Sequence, residues 1–331
     1  MNECIDIHTH IVPENFPPYA GKGKDVPWPS MAPAHACHRH VMISGKLYRT
    51  VADGSWSVPR RIEEMGAMRV TRQAISPMPE LLSYWLPLDD AKVMIRFLND
   101  EIARMIGAAP DRFIGLGCVP LQDIDAALKE LEYCKQLKFA GVEIASHVNG
   151  VSIGHEQFEP FFAAAEKMGA AIFVHALRPA GQDRIVGPFI EQAVCFPGDI
   201  GLACASMIIG GIAERHPKLK IAFSHGGGVM SILLPRLEHA WKKIPKAHES
   251  LKEAPSVAAK RFYYDELVFD PAAIRFLVGQ FGASQICVGT DYPYAMGDFE
   301  PLNTLAAAKL DAATVQAITA GNAKRFLGLP R

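Results

Sequence analysis

Two patterns of apolar and polar positions alternate along this chain. Short runs rich in Val, Ile and Phe recur at Ile5–His8, Val70–Ser76, Phe113–Val119, Gly141–Ser146, Ala171–His175, Ile221–His225, Phe262–Leu267 and Gln285–Gly289. Their length and composition predict buried strands. Between them, helical periodicity appears near residues 59–68, 89–109, 123–137, 156–168, 201–215, 229–243, 271–281 and 301–327, the last in two or three pieces. Asp123 and Asp125 give one helix an acidic first turn, and Pro271 after Asp270 reads as a proline at the first helical position behind an Asp cap. Eight strand-helix units in 331 residues predict a (β/α)8 TIM-type barrel, since a doubly wound sheet more often uses fewer strands.

The stretch 11–58 breaks the alternation. Pro13, Pro17, Pro18, Pro27, Pro29 and Pro33 interrupt any helix, while Tyr19, Trp28, Tyr48 and Trp56 supply apolar weight that a solvated linker would lack. We read it as an insertion after the first strand, folded over the active-site mouth, with short strands around Val41–Arg49. Residues 1–331 then form one domain.

Composition narrows the partners. With 49% hydrophobic and 21% charged residues the chain has the make-up of a compact enzyme with a large core. A formal net charge of −1, with both signs mixed along the chain, leaves no nucleic-acid footprint and no membrane-surface patch. Small-molecule partners are expected. Seven cysteines, an odd number without close pairs, read as reduced and mostly buried thiols. The amino terminus has no basic segment leading into an apolar one, and no apolar run reads as long and charge-free enough to span a bilayer, so a cytoplasmic location is expected.

The chemistry sits at strand ends. His8 and His10 are spaced i, i+2, which puts both imidazoles on one face of the first strand. Later runs end in His175, His225 and Asp291. Twelve histidines scattered by chance would place few at these positions, and in a barrel the carboxyl ends of the strands share one face. Three imidazoles and a carboxylate suit Zn²⁺ with a water in the remaining position, although ligand type alone leaves Mn²⁺, Fe²⁺ and Co²⁺ open. Gly226-Gly227-Gly228 lacks the spacing and the Lys-Ser/Thr ending of a phosphate loop, and reads as a close backbone approach at the mouth. His35, His38 and His40 lack a cysteine partner set, and no second metal is expected there.

The order His-x-His, His, His, Asp on strands one, five, six and eight resembles the amidohydrolase superfamily. Arg61-Ile62-Glu63-Glu64-Met65, Val119-Pro120-Leu121-Gln122-Asp123, Ser224-His225-Gly226-Gly227-Gly228, Gly289-Thr290-Asp291-Tyr292-Pro293 and Gly321-Asn322-Ala323 narrow the resemblance. They resemble the branch of 2-amino-3-carboxymuconate-6-semialdehyde decarboxylases and related metal-dependent decarboxylases, over nearly the whole chain. The resemblance implies non-oxidative decarboxylation of a conjugated or aromatic acid, either a ring-cleavage product of that kind or a hydroxybenzoate. It makes His8, His10, His175 and Asp291 the metal ligands, and His225 a non-ligand or weakly bound acid/base. His225 and Asp291 are thus the residues expected to carry the chemistry. The absence of a lysine at the end of strand four implies a single ion, with Glu143 a supporting carboxylate.

By the same resemblance Arg49 holds a substrate carboxylate, and Arg236 reaches across a homodimer interface into the neighbouring site. Two departures bear on substrate choice. Ala176-Leu177-Arg178-Pro179 stands where the branch has Pro-Trp, which removes an aromatic wall and adds Arg178 as a candidate substrate cation, and Glu266 replaces a small residue near the mouth. Tyr294 either stacks on a planar substrate or packs in the core, and His147 reads as a satisfied loop histidine. A hydrolase or hydratase using the same residues is the second reading. A catalytically dead, metabolite-binding barrel is the third, and the intact His8, His10, His175, His225 and Asp291 oppose it.

Overall fold

The computed structural model describes residues 3–187 and 191–330. Eight strands pair in sequence order into one parallel sheet: β1 (Ile5–Ile11), β2 (Arg72–Pro77), β3 (Phe113–Gly117), β4 (Gly141–Ala145), β5 (Ala171–His175), β6 (Lys220–Phe223), β7 (Tyr263–Asp265) and β8 (Ile286–Cys287). The last meets the first. Ile7 N donates to Val288 O at 2.9 Å and parallel bridges join Asp6 to Val288 and Thr9 to Tyr292, so the sheet curls into the expected barrel.

The helices start where the sequence supplies caps. In α1 (Val58–Ala67) the Ser57 side chain accepts from Arg60 N and a proline occupies the first turn, and in α2 (Ile124–Gln136) Asp123 accepts from Ala126 N. Asp270 caps Pro271–Phe281 through two amides, as the Asp-Pro pair predicts. Ile5, Ile7, Ile114, Leu116 and Phe173 fill the barrel interior, and Phe326 and Leu327 of the carboxy-terminal helix Asn322–Leu327 join the same cluster. Lys324 to Glu3, at 2.6 Å, ties that helix to the start of β1.

Two sequence expectations change. The helix placed at 201–215 begins earlier: a helical run covers Glu191–Ile209, followed by a separate turn at Ile212–Arg215. Pro197 lies inside this run, at the start of its α-helical part, Phe196–Ile209, directly after a π-helical turn at Glu191–Cys195. By length and composition these 19 residues could cross a bilayer, which the sequence reading did not anticipate. Here the run packs on the barrel and buries Asp199 against Ser146. The insertion carries the strands expected around Val41–Arg49, as His38–Ile43 and Lys46–Ala52, and Pro29–Pro33 adds a third to form an antiparallel sheet. All seven cysteines are free, and only Cys37 is exposed.

Candidate metal centre and substrate cavity

Strand β1 is buried along its whole length, and its period of two brings His8 and His10 to one face. Their Nε2 atoms lie 3.1 Å apart, and both face Asp291 Oδ1, at 3.5 and 3.2 Å. His175, the last residue of β5, completes the group: the four ligand atoms lie within 4.8 Å of one another. Among the described residues this is the one cluster of three or more such side chains.

The remaining ring nitrogens decide what the cluster can hold. His8 Nδ1 is 2.7 Å from Asp265 Oδ2, His10 Nδ1 3.2 Å from Pro77 O, and His175 Nδ1 2.7 Å from Ala176 O. Each Nδ1 therefore carries the proton and donates, and each Nε2 keeps a lone pair aimed at the common point. His175 Nε2 and Asp291 Oδ1 are buried without any hydrogen-bond donor. Three lone pairs and a carboxylate oxygen converging without a donor repel one another, and a cation is the group that satisfies all four. Burial and the rings of His10, His225 and His8 push His175 well below the ordinary imidazole range. Burial opposes ionisation of Asp291, but the imidazoles of His10, His8 and His175 around it prevail and hold its carboxyl below the ordinary carboxylate range.

Asp265, at the end of β7, holds this arrangement and was not singled out in the sequence. Its Oδ2 accepts from His8 Nδ1 and from His225 N (3.0 Å), and its Oδ1 from Gly226 N (2.7 Å) and Leu267 N (3.3 Å). An aspartate inside the apolar run Phe262–Leu267 was the available signal. The glycine turn works with it: a Cβ on Gly228, at φ +56°, would lie 2.0 Å from the Pro197 carbonyl oxygen. That is the close approach inferred from the sequence. His225 sits beside the four-residue cluster, its ring centroid 5.0 Å from that of His175, with Nδ1 3.0 Å from Ser224 Oγ. Burial and the neighbouring His8 push it down to about 4, so it is neutral at pH 7.

A cavity of about 480 Å³ opens onto His175 and Asp291 and is roofed by insertion residues 48–52. Arg49 lines it with its Cζ 4.5 Å from the Tyr294 ring centroid, and Tyr294 in turn stacks on His10 at 5.3 Å and 27°. The Tyr294 hydroxyl is buried without a partner. Met78, Leu177, Phe196 and Met296 add apolar walls. Arg178 also lines the cavity, but its guanidinium already pairs with Glu80 at 3.0 Å and lies over Trp85. Glu80 is a second residue that sequence reasoning missed, and the run Pro79–Leu82 carries no local signal of its role.

Other candidates fall elsewhere. Arg236 lies exposed on helix Met230–Lys243 and does not line this chain's cavity. Glu266 is not at the mouth: alternation in β7 turns Asp265 inward and Glu266 away, where both carboxylate oxygens are buried without partners. Glu143 is fully buried, hydrogen-bonded to Ser76, and pushed up to about 8 by burial. His147 accepts from Gly150 N (3.1 Å) and faces Arg178 O at 3.2 Å through Nε2, as a satisfied loop histidine does. The ring centroids of His35 and His38 lie 4.1 Å apart with the planes tilted by 36°, and His38 lies on the cavity rim.

Comparison with known proteins places this geometry in context. A family model described as amidohydrolase matches residues 5–329. The 2-amino-3-carboxymuconate-6-semialdehyde decarboxylase of Dictyostelium discoideum is 35% identical over 328 residues, covering 98% of this chain and 91% of that protein. The crystal structure of 5-carboxyvanillate decarboxylase from Sphingomonas paucimobilis superposes with a TM-score of 0.80 at 22% identity, covering 100% of both chains. The same-named enzyme of Novosphingobium aromaticivorans, solved with manganese and 4-hydroxy-3-methoxy-5-nitrobenzoic acid, is 25% identical with a TM-score of 0.72, covering 82% of this chain and 80% of its own.

Proposed function

Because the chain belongs to the amidohydrolase family, we propose that it is a metal-dependent carboxy-lyase that removes CO₂ without oxidation from a conjugated or aromatic carboxylic acid. The favoured substrates are 2-amino-3-carboxymuconate-6-semialdehyde, a similar ring-cleavage product, or a hydroxybenzoate. One observation carries the reading: the convergent lone pairs of His8, His10 and His175 and the Asp291 carboxylate open into a cavity that also presents the Arg49 guanidinium.

The N₃O donor set fits Zn²⁺ first, and also Mn²⁺, Fe²⁺ or Co²⁺. A divalent cation held there supplies Lewis-acid polarisation of substrate oxygen atoms. The protein's own groups account for the rest. The planar Arg49 fork matches a carboxylate with two parallel hydrogen bonds, and Tyr294, pinned between Arg49 and His10, offers a face for a flat substrate. Met78, Leu177 and Phe196 keep water from the carbon that loses CO₂. Neutral His225 first takes a proton supplied by solvent and, as imidazolium, passes it to the carbon bearing the carboxylate; the conjugated system gives the electron pair of the new C–H bond and recovers the pair of the bond that breaks as CO₂ leaves.

The apolar exposure around Arg236 supports a homodimer in which that arginine enters the partner's site. Ile232, one helical turn before Arg236, is 68% exposed. Six buried free thiols support a reducing, cytoplasmic location. Release of CO₂ from a panel of ring-cleavage semialdehydes and hydroxybenzoates by the metal-loaded protein tests the assignment. Turnover with net water uptake and no CO₂ would make the protein a hydrolase or hydratase instead.

A further inference from the structure

One charge pair in the cavity wall has no part in the chemistry above. Arg178 is fixed on three sides. Its Nε and Nη2 both donate to Glu80 Oε1, at 3.1 and 3.0 Å, and its Cζ lies 3.3 Å from the Trp85 ring centroid. Its backbone is left-handed at φ +47°, and its carbonyl faces His147 Nε2 at 3.2 Å. Glu80 is fixed as well: its Oε2 accepts from the Tyr48 hydroxyl at 3.1 Å, and the residue is only 9% exposed. Tyr48 stands between the two arginines, since Arg49 Cζ lies 5.8 Å from its ring.

The cavity therefore holds two guanidinium groups of different character. Arg49 has no carboxylate in ion-pair contact among the described residues, whereas Arg178 has its charge cancelled by a nearly buried glutamate. Cancelling that charge decides what the wall favours. A second anion placed there would gain little from Arg178 and would face Glu80 directly. An uncharged acceptor such as a carbonyl meets Arg178 Nη1, which has no protein partner among the described residues, at no charge cost.

We propose that Glu80, through its pairing with Arg178, is a specificity-determining residue that makes the site prefer a substrate uncharged at the end away from its leaving carboxylate. This rests on the reading of the cavity as the site of a conjugated or aromatic carboxylate. Arg178 is half exposed, which screens its field, so the change expected from removing one charge of the pair is about tenfold in relative affinity.

Matched probes test it by displacement calorimetry on the metal-loaded protein: terephthalate against 4-formylbenzoate, and isophthalate against 3-formylbenzoate. In each pair a formyl group replaces one carboxylate. The wild-type protein binds the formyl acid more tightly. Glu80→Gln shifts the ratio about tenfold toward the dicarboxylate, and Arg178→Gln shifts it the other way by exposing an unpaired Glu80. Opposite signs separate a charge effect from a loosened wall, and Arg178→Gln alone still carries a signed expectation if Glu80→Gln does not fold. An unmoved ratio, or shifts of the same sign in both variants, overturns the proposal while leaving the carboxylate reading intact. Failure of all four probes to bind the metal-loaded wild type overturns both.

Discussion

Replacing Asp265 by asparagine removes one charge and almost no volume, and the structure says where the damage goes. The carboxylate accepts four N–H groups, two on each oxygen: His8 Nδ1 and His225 N on Oδ2, Gly226 N and Leu267 N on Oδ1. An amide has only one oxygen. With its NH₂ toward His8, a donor meets a donor, and His8 must move its proton to Nε2, the atom that should carry the lone pair. With its NH₂ toward the turn, the buried amides of Gly226 and Leu267 lose their acceptor at about 1–3 kcal/mol each, and the turn carrying His225 loosens. Losing an outer partner of a ligating histidine typically weakens metal binding 10- to 100-fold, which is about 1.4–2.8 kcal/mol. Competition against a chromophoric chelator measures that loss, with circular dichroism confirming the fold. Glu266→Gln is the matched control one residue away: burial holds the Glu266 carboxyl above its usual range, neither of its oxygens has a hydrogen-bond partner, and metal affinity should not change. Wild-type affinity in Asp265→Asn, or equal losses in both variants, would refute the reasoning.

Three further outcomes follow from the site. His175→Ala or Asp291→Ala should leave a folded protein with reduced metal content and almost no turnover, read by elemental analysis alongside CO₂ release, and wild-type activity surviving full chelation would contradict it. His225→Ala should keep its metal yet lose roughly 10²–10⁴-fold in kcat, and loss of metal together with activity would make His225 a ligand. Mixing inactive Arg236→Ala with inactive His175→Ala protein should restore activity once subunit exchange is verified with differently tagged chains, because the heterodimer holds one complete site. Verified heterodimers that stay inactive would return Arg236 to an ordinary helix residue.

The barrel and the cluster proposed as its metal site were legible because both follow local rules. Short Val/Ile/Phe runs identify buried strands, and a histidine or aspartate where such a run ends projects onto the shared face. The insertion was legible only as aromatic weight among prolines; its three-stranded pairing, with Val41 opposite Arg49, depends on contacts that local pattern does not encode. The helix at Glu191–Ile209 was expected only from residue 201, and its earlier part holds Pro197-Gly198, a pair whose composition suits a turn equally well. Glu80 and Arg178 are 98 residues apart, and nothing local marks either as half of a pair. Asp265 was visible as an aspartate in an apolar strand, but its role appears only when β7 is seen beside β1, 257 residues away in sequence from His8.

That neighbour relation explains why metal and fold are hard to separate here. Strand β8 has only two residues, too few for a full ladder against β1, so much of the seam where the barrel closes is made by polar groups. Thr290 donates to Asp6 across 284 residues of sequence, Asp291 N donates to His8 O at 2.9 Å, and His10 N donates to Tyr292 O at 2.8 Å. Arg61, wholly buried, spans the same seam: it donates to His10 O at 2.8 Å while its Cζ lies 4.6 Å from the Tyr292 ring centroid. The proposed ligands His8, His10 and Asp291 therefore lie on the two chain segments that must meet for the barrel to close. A cation drawing them together would bind the closed state and not the open one, so its binding free energy would add to folding stability. The strand ends that bring the proposed ligands together would thus be held in turn by the cation.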